Sequence, residues 1–182
     1  EKHLTYQYLL KIDDDSLVNM AKLRKELNLH KPDYWGRVWS TPAVDRNRNS
    51  KWFVSRKTYS GNNYPSYCSG GGYVLSRKAN KCIVNEMKYS KFMPREDVAT
   101  GILAKKCNIS PINSNKVQAV KPYNGNDFII RHYVKFEQQT PDLNAWCKTH
   151  DVLPNGAFCN KKYAGMDMGL AKAIVKIIPT GS

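Results

Sequence analysis

Three consecutive carboxylates, Asp13, Asp14 and Asp15, follow the run Tyr8-Leu9-Leu10-Lys11-Ile12 near the start of this chain. The run is mostly apolar, with an aromatic and a β-branched member, and reads as a buried strand that the acids terminate. In an extended chain residues i and i+2 face the same way, so Asp13 and Asp15 can address one cation together while Asp14 faces elsewhere. Carboxylates grouped like this suit a hard divalent ion and the diphosphate such an ion carries. A structural reading competes, because Asp15 or Ser16 would also serve as the N-cap of the helix that follows.

Three further stretches carry chemistry-bearing residues. In Tyr64-Pro65-Ser66-Tyr67-Cys68-Ser69-Gly70-Gly71-Gly72-Tyr73, three glycines between aromatics could let the backbone approach a ligand while ring faces stack on a sugar. The same pattern fits a hairpin loop flanked by core tyrosines. It lacks the Gly-Lys-Ser/Thr ending of a phosphate-binding P-loop. Pro94-Arg95-Glu96-Asp97-Val98 reads as the start of a helix, where acids complement the dipole. There Asp97 is expected to stay ionised beside the positive end of the helix dipole. His132 sits in Phe128-Ile129-Ile130-Arg131-His132-Tyr133-Val134, and a lone histidine is more often a hydrogen-bonded structural residue than a ligand.

The elements that must position these groups follow from periodicity. Leu17, Met20, Leu23 and Leu27 recur at helical spacing over residues 16–29, with Lys and Arg between them, predicting an amphipathic helix laid on a sheet. Tyr34–Trp39 and Lys51–Ser55 read as strands. Ser76 is placed to cap a helix through Met87, and a second helix runs from Glu96 to about Cys107. Residues 108–126 read as loop, residues 128–134 as a strand, and Pro141–Thr149 as a short helix bearing Trp146.

The 182 residues carry a net charge of +14, which favours anionic partners. The basic residues are spread from Lys2 to Lys176 with no run of five like charges, so no nucleic-acid partner is expected. The five cysteines, Cys68, Cys82, Cys107, Cys147 and Cys159, are too dispersed for a zinc module. The apolar run Ala173–Ile178 is too short to span a membrane.

Taken in order, Lys11-Ile12-Asp13-Asp14-Asp15 with Val18-Asn19, Lys51-Trp52-Phe53-Val54-Ser55, the Tyr64–Ser76 stretch, and Glu96-Asp97-Val98 with Gly101 resemble the β-1,3-galactosyltransferase family. These are inverting GT-A enzymes that include β-1,3-N-acetylglucosaminyltransferases and Fringe-like proteins. The resemblance implies an α/β fold: the C-terminal portion of a GT-A domain, with a central mixed sheet flanked by helices. Residues 1–149 would form that portion and residues 150–182 an extension of unknown role. It implies transfer of galactose or N-acetylglucosamine from a UDP-sugar to a glycan hydroxyl on a glycoprotein or glycolipid, in a β-1,3 linkage, with manganese as cofactor. Asp15, Asp13 and His132 would hold the ion and Asp97 would be the catalytic base. Asp13, Asp14, Trp52, Tyr64, Tyr67, Gly70, Gly71, Gly72 and Glu96 would line the donor and acceptor site.

The family is typically anchored in the Golgi as type II membrane proteins. Anchor, stem and the uridine-binding half would therefore precede Glu1, and the chain alone is expected to be inactive. One departure stands out: the chain has Leu103 where many members carry a cysteine, with Cys107 a helical turn later, so no disulfide is carried over from the family. A non-catalytic glycan-binding or interaction module, or a basic nucleic-acid binder, remains the alternative reading.

Overall fold

The computed structural model describes residues 6–123, 125 and 127–134, together with the backbone of 176–178. The predicted helix with Trp146, along with Cys147 and Cys159, lies outside them. Strand β1 (Tyr8–Ile12) is followed by a short strand β2 (Leu17–Val18), helix α1 (Met20–His30), β3 (Tyr34–Trp39) and β4 (Tyr67–Ser76). Helices α2 (Arg77–Met87) and α3 (Glu96–Lys106) come next, then β5 (Ile112–Asn113), β6 (Val117–Gln118), β7 (Ile130–Arg131) and β8 (Lys176–Ile178).

The main sheet has the order β5-β3-β4-β1-β8, and β2-β7-β6 form a second sheet. Each is mixed: β3 pairs parallel with β5 and antiparallel with β4, while β7 pairs parallel with β6 and antiparallel with β2. Mixed sheets with helices make this an α/β structure. Strand β8 comes from the stretch read as an extension, and it pairs with Tyr8–Leu10 of β1.

Side-chain alternation along β1 and β4 divides the core. Leu10 and Val74 pack with Leu23 and Leu27 of α1 and with Ile129 and Ile130. Tyr73 and Leu75 face the other way, against Ala79 and Ile83 of α2 and Leu103 and Ala104 of α3. A disulfide between Cys82 and Cys107 ties α2 to the end of α3, a link the comparison with family cysteines did not anticipate. Cys68 is a buried free thiol.

Several expected elements differ. The cap of α1 is Asn19, whose side chain accepts from the Lys22 N–H at 3.0 Å, and not Asp15 or Ser16. Leu17–Val18 first pair with β7, which delays the helix. Lys51–Ser55 is a series of turns and not a strand. There the Arg46 guanidinium donates to the carbonyls of Val54, Tyr59 and Gly61 at 2.6, 2.8 and 2.6 Å, so the loop's acceptors are satisfied without a strand partner. Residues 108–126 contain β5 and β6, and the strand expected over 128–134 is confined to Ile130–Arg131.

Candidate metal and proton-transfer site

Strand β1 ends at Ile12, and Asp13 to Ser16 form a turn closed by the Ser16 N–H on the Asp13 carbonyl at 3.1 Å. Beyond β7, His132 arrives from the second sheet, and the Val134 N–H donates to the Asp15 carbonyl at 2.9 Å. His132 Nε2 lies 3.3 Å from Asp13 Oδ2 and 3.1 Å from Asp15 Oδ1. One donor atom from each of the three residues falls within a 4.8 Å cluster. Asp14 is exposed on the turn.

The histidine tautomer is set by its other nitrogen. Nδ1 lies 3.3 Å from the Ala119 carbonyl, which can only accept, so Nδ1 carries a proton; Nε2 faces the two carboxylates, donating to Asp13 when protonated and able to ligate a cation when not. Two carboxylates and an imidazole form a donor set that fits manganese or a similar divalent ion. Acting on one another alone, these groups reinforce their charges. Burial opposes a charged His132, but the Asp13 hydrogen bond and the Asp15 charge raise its pKa. Burial likewise opposes ionised Asp13, yet His132 and Lys11 hold it below the usual carboxylate range.

Lys11 connects this cluster to α3. Its Nζ lies 2.5 Å from Asp13 Oδ1, 2.5 Å from the Gly70 carbonyl and 3.3 Å from Glu96 Oε2. The Gly70 carbonyl is accessible because β4 bulges. Pairing with β3 jumps from Gly36↔Tyr73 to Val38↔Cys68, which leaves Ser69–Gly72 opposite Arg37 alone. The freed backbone groups are used: the Gly71 carbonyl accepts from Ser16 Oγ at 2.5 Å, and the Gly70 N–H donates to Asp97 Oδ2 at 3.3 Å.

The three glycines therefore do not open a ligand loop. A Cβ at Gly71 would lie 2.4 Å from the His132 ring, and one at Gly72 would lie 2.7 Å from Ile130, so the close approach is to β7 and the residue after it. Gly101 serves α3 similarly, since a Cβ there would meet the Tyr67 Cβ at 2.3 Å.

The two acids of α3 are held differently. Glu96 Oε1 accepts from the Tyr73 hydroxyl and, at 3.2 Å, from Thr100 Oγ1, so its contacts are structural. Asp97 accepts only backbone N–H groups, those of Val98 at 2.8 Å and Gly70 at 3.3 Å, and its side chain is 18 % exposed. Burial, with a smaller contribution from Glu96, pushes the Asp97 carboxyl up against the opposing pull of Arg95 and the two N–H donors. This corrects the expectation that the helix N-terminus alone would govern it: desolvation is the larger effect.

Two aromatic assignments also change. Tyr64 is 1 % exposed, and it packs with Tyr67, Val44, Val54 and Val98 in a buried cluster, so neither tyrosine offers a free face to a sugar. Trp52, 46 % exposed, does reach solvent. Lys11, Ser16 and Arg95 are site neighbours that the motifs did not single out.

The family model described as Galactosyltransferase matches residues 1–115. Human beta-1,3-galactosyltransferase 1 is 30% identical over 113 residues, covering 60% of this chain and 35% of that protein. Human beta-1,3-galactosyltransferase 2 is 30% identical over 133 residues, covering 69% and 29%. The mouse acetylgalactosaminyl-O-glycosyl-glycoprotein beta-1,3-N-acetylglucosaminyltransferase is 28% identical over 119 residues, covering 64% and 30%. The chain thus spans about a third of the length of the curated relatives it matches.

Proposed function

Since the chain belongs to the galactosyltransferase family, we propose that it carries the cation site and the proton acceptor of an inverting transferase with a GT-A frame. The complete protein would move galactose or N-acetylglucosamine from a UDP-sugar to a glycan hydroxyl in a β-1,3 linkage. The observation that carries this reading is the convergence of Asp13, Asp15 and His132 within 4.8 Å, joined through Lys11 and the Gly70 backbone to Asp97.

Asp15, Asp13 and His132 would hold manganese, which when bound neutralises charge on the departing diphosphate. Lys11 keeps Asp13 ionised and oriented. Asp97, presented at the first turn of α3, accepts the proton of the attacking hydroxyl. Its partial burial raises its basicity above that of a solvent-exposed aspartate. Glu96, engaged by Tyr73, Thr100 and Lys11, frames that position. Trp52, about half exposed, lies beside Arg95 at the start of α3.

A secretory-pathway lumen, in the Golgi, fits the Cys82–Cys107 disulfide, since such bonds persist in oxidising compartments. No helix among the described residues is long and apolar enough to cross a membrane.

The test uses the complete protein with UDP-galactose and UDP-N-acetylglucosamine as donors and galactosides and N-acetylglucosaminides as acceptors. Asp97→Asn is expected to lower kcat by about 10²–10⁴-fold while leaving manganese-supported UDP binding intact. Glu96→Gln, one residue away, should have a smaller effect. Normal turnover by Asp97→Asn would remove the base assignment. UDP binding indifferent to manganese would remove the cation site, and absence of both binding and turnover in the wild type would favour a non-catalytic module.

A further inference from the structure

Arg95 stands immediately before α3 with an extended backbone and makes no side-chain cap of the helix. Its guanidinium carbon lies 5.0, 5.9 and 5.8 Å from the ring centroids of Trp52, Tyr64 and Tyr67. Nη2 donates to the Tyr67 hydroxyl at 3.1 Å and lies 3.8 Å from Asp97 Oδ1. Both side chains are about four-fifths buried, at 21 % and 18 % exposure, so solvent screens the pair far less than it would a surface salt bridge.

The arrangement is expensive if Arg95 serves only to fill space. Its Nε is buried without a hydrogen-bond partner, and desolvating a cation and orphaning an N–H both cost free energy. A methionine would fill the same aromatic cradle without either cost. What only the arginine supplies is a fixed positive charge beside Asp97. We propose that Arg95 is a positioning residue for the proton-accepting carboxylate: three aromatic rings lock its guanidinium so that Asp97 stays charged and aimed at the acceptor hydroxyl.

This rests on the reading of Asp97 as the base. It also gives Tyr64 and Tyr67 a role as the walls of an arginine cradle, and Trp52 a second use besides its exposed face. The other groups around Asp97 do not substitute for Arg95. Glu96 opposes ionisation, and the phenols of Tyr67 and Tyr73 are held neutral by burial. Lys11 is committed to Asp13, Glu96 and the Gly70 carbonyl.

Arg95→Gln, which keeps a planar polar group against the rings, and Arg95→Lys, which keeps the charge without the planar stack, are made in the complete protein. Turnover is followed against pH with the donors and acceptors named above. For Arg95→Gln the acid limb of the kcat profile is expected to move alkaline. The loss would be on the order of tenfold on the acid limb, the size of a displacement of about one pH unit, and would vanish on the alkaline plateau, with the UDP dissociation constant unchanged. Arg95→Lys should recover part of the shift.

A second readout needs no turnover. At neutral pH, Asp97→Asn should favour thermal stability more in the Arg95→Gln background than in the wild type, because the uncompensated carboxylate is the costlier one. A pH-independent loss of kcat together with additive stabilities would overturn the proposal while leaving Asp97 as the base. An active Asp97→Asn would overturn both.

Discussion

Substituting Gly71 by alanine tests whether the glycine bulge exists to admit His132. The built Cβ lies 2.4 Å from His132 Cγ, 2.5 Å from Nδ1 and 2.7 Å from Cβ, about 1 Å inside ordinary carbon contact. The ring has little room to retreat, with the Ala119 carbonyl 3.3 Å away on one nitrogen and Tyr133 stacked at 3.8 Å between centroids. Overpacking of this kind costs about 1–3 kcal/mol, or a Tm loss of roughly 3–10 °C for a chain of this size. Metal–nitrogen distances tolerate only about ±0.2 Å, so a ring displaced by that overlap should weaken manganese binding by about 10–100-fold, as loss of an orienting partner does. Gly70→Ala is the control, because its Cβ would meet Asp97 and Lys11 at an ordinary 3.5–3.6 Å. Thermal unfolding and titration of manganese, followed by the resonance of the free ion, read the two effects separately. If Gly71→Ala matched Gly70→Ala in both, the close approach would not be what requires glycine there.

Asp15→Ala should abolish manganese-supported UDP binding, whereas His132→Ala should weaken it less, as isothermal titration of the complete protein would show. The raised carboxyl of Asp97 has a signed consequence for folding: both states are protonated below the unfolded carboxylate pKa, and stability is lost as pH rises through the higher folded value. The Tm of Asp97→Asn relative to wild type should therefore climb as pH rises from about 4, the ordinary carboxylate range, and level off above the raised folded value. Cys82→Ser opens a link between residues 25 apart and should cost about 3 kcal/mol in denaturant unfolding on loop entropy. Arg46→Met removes a donor from three carbonyls and should cost ~2–3 kcal/mol by the same measurement.

Where local physics decides, the sequence was a good guide: α2 begins after the Ser76 cap, α3 begins at its acidic turn, and α1 buries Met20, Leu23 and Leu27 as its periodicity requires. The convergence of Asp13, Asp15 and His132 is non-local. Strand alternation anticipated that Asp13 and Asp15 would act together, but only the family resemblance brought His132 to them, because no periodicity reports that β2 will pair with a strand more than a hundred residues away. Lys11 had a readable signal, being a lysine inside an otherwise apolar strand, two residues before Asp13 and on the same face. Arg95 had none, because its cradle is assembled from residues 52, 64 and 67 only once the loop has wound around Arg46. The same blindness explains Tyr64 and Tyr67, since composition cannot distinguish a ring facing a pocket from a ring closing a core.

Gly70 holds the two halves of the site at a separation that neither half could set alone. Its carbonyl receives Lys11, which holds Asp13, and its N–H is received by Asp97. The Asp13 side chain, through Lys11, and the Asp97 carboxylate are therefore both tied to the backbone of one residue. Sliding or tilting of α3 against the sheet would have to break one of those contacts before it could change the distance between them. Reactions limited by the placement of attacking and leaving groups are sensitive to displacements of about 1 Å. A bulge gripped from both sides resists that displacement better than a regular strand, whose N–H and C=O groups would already be spent on its neighbours.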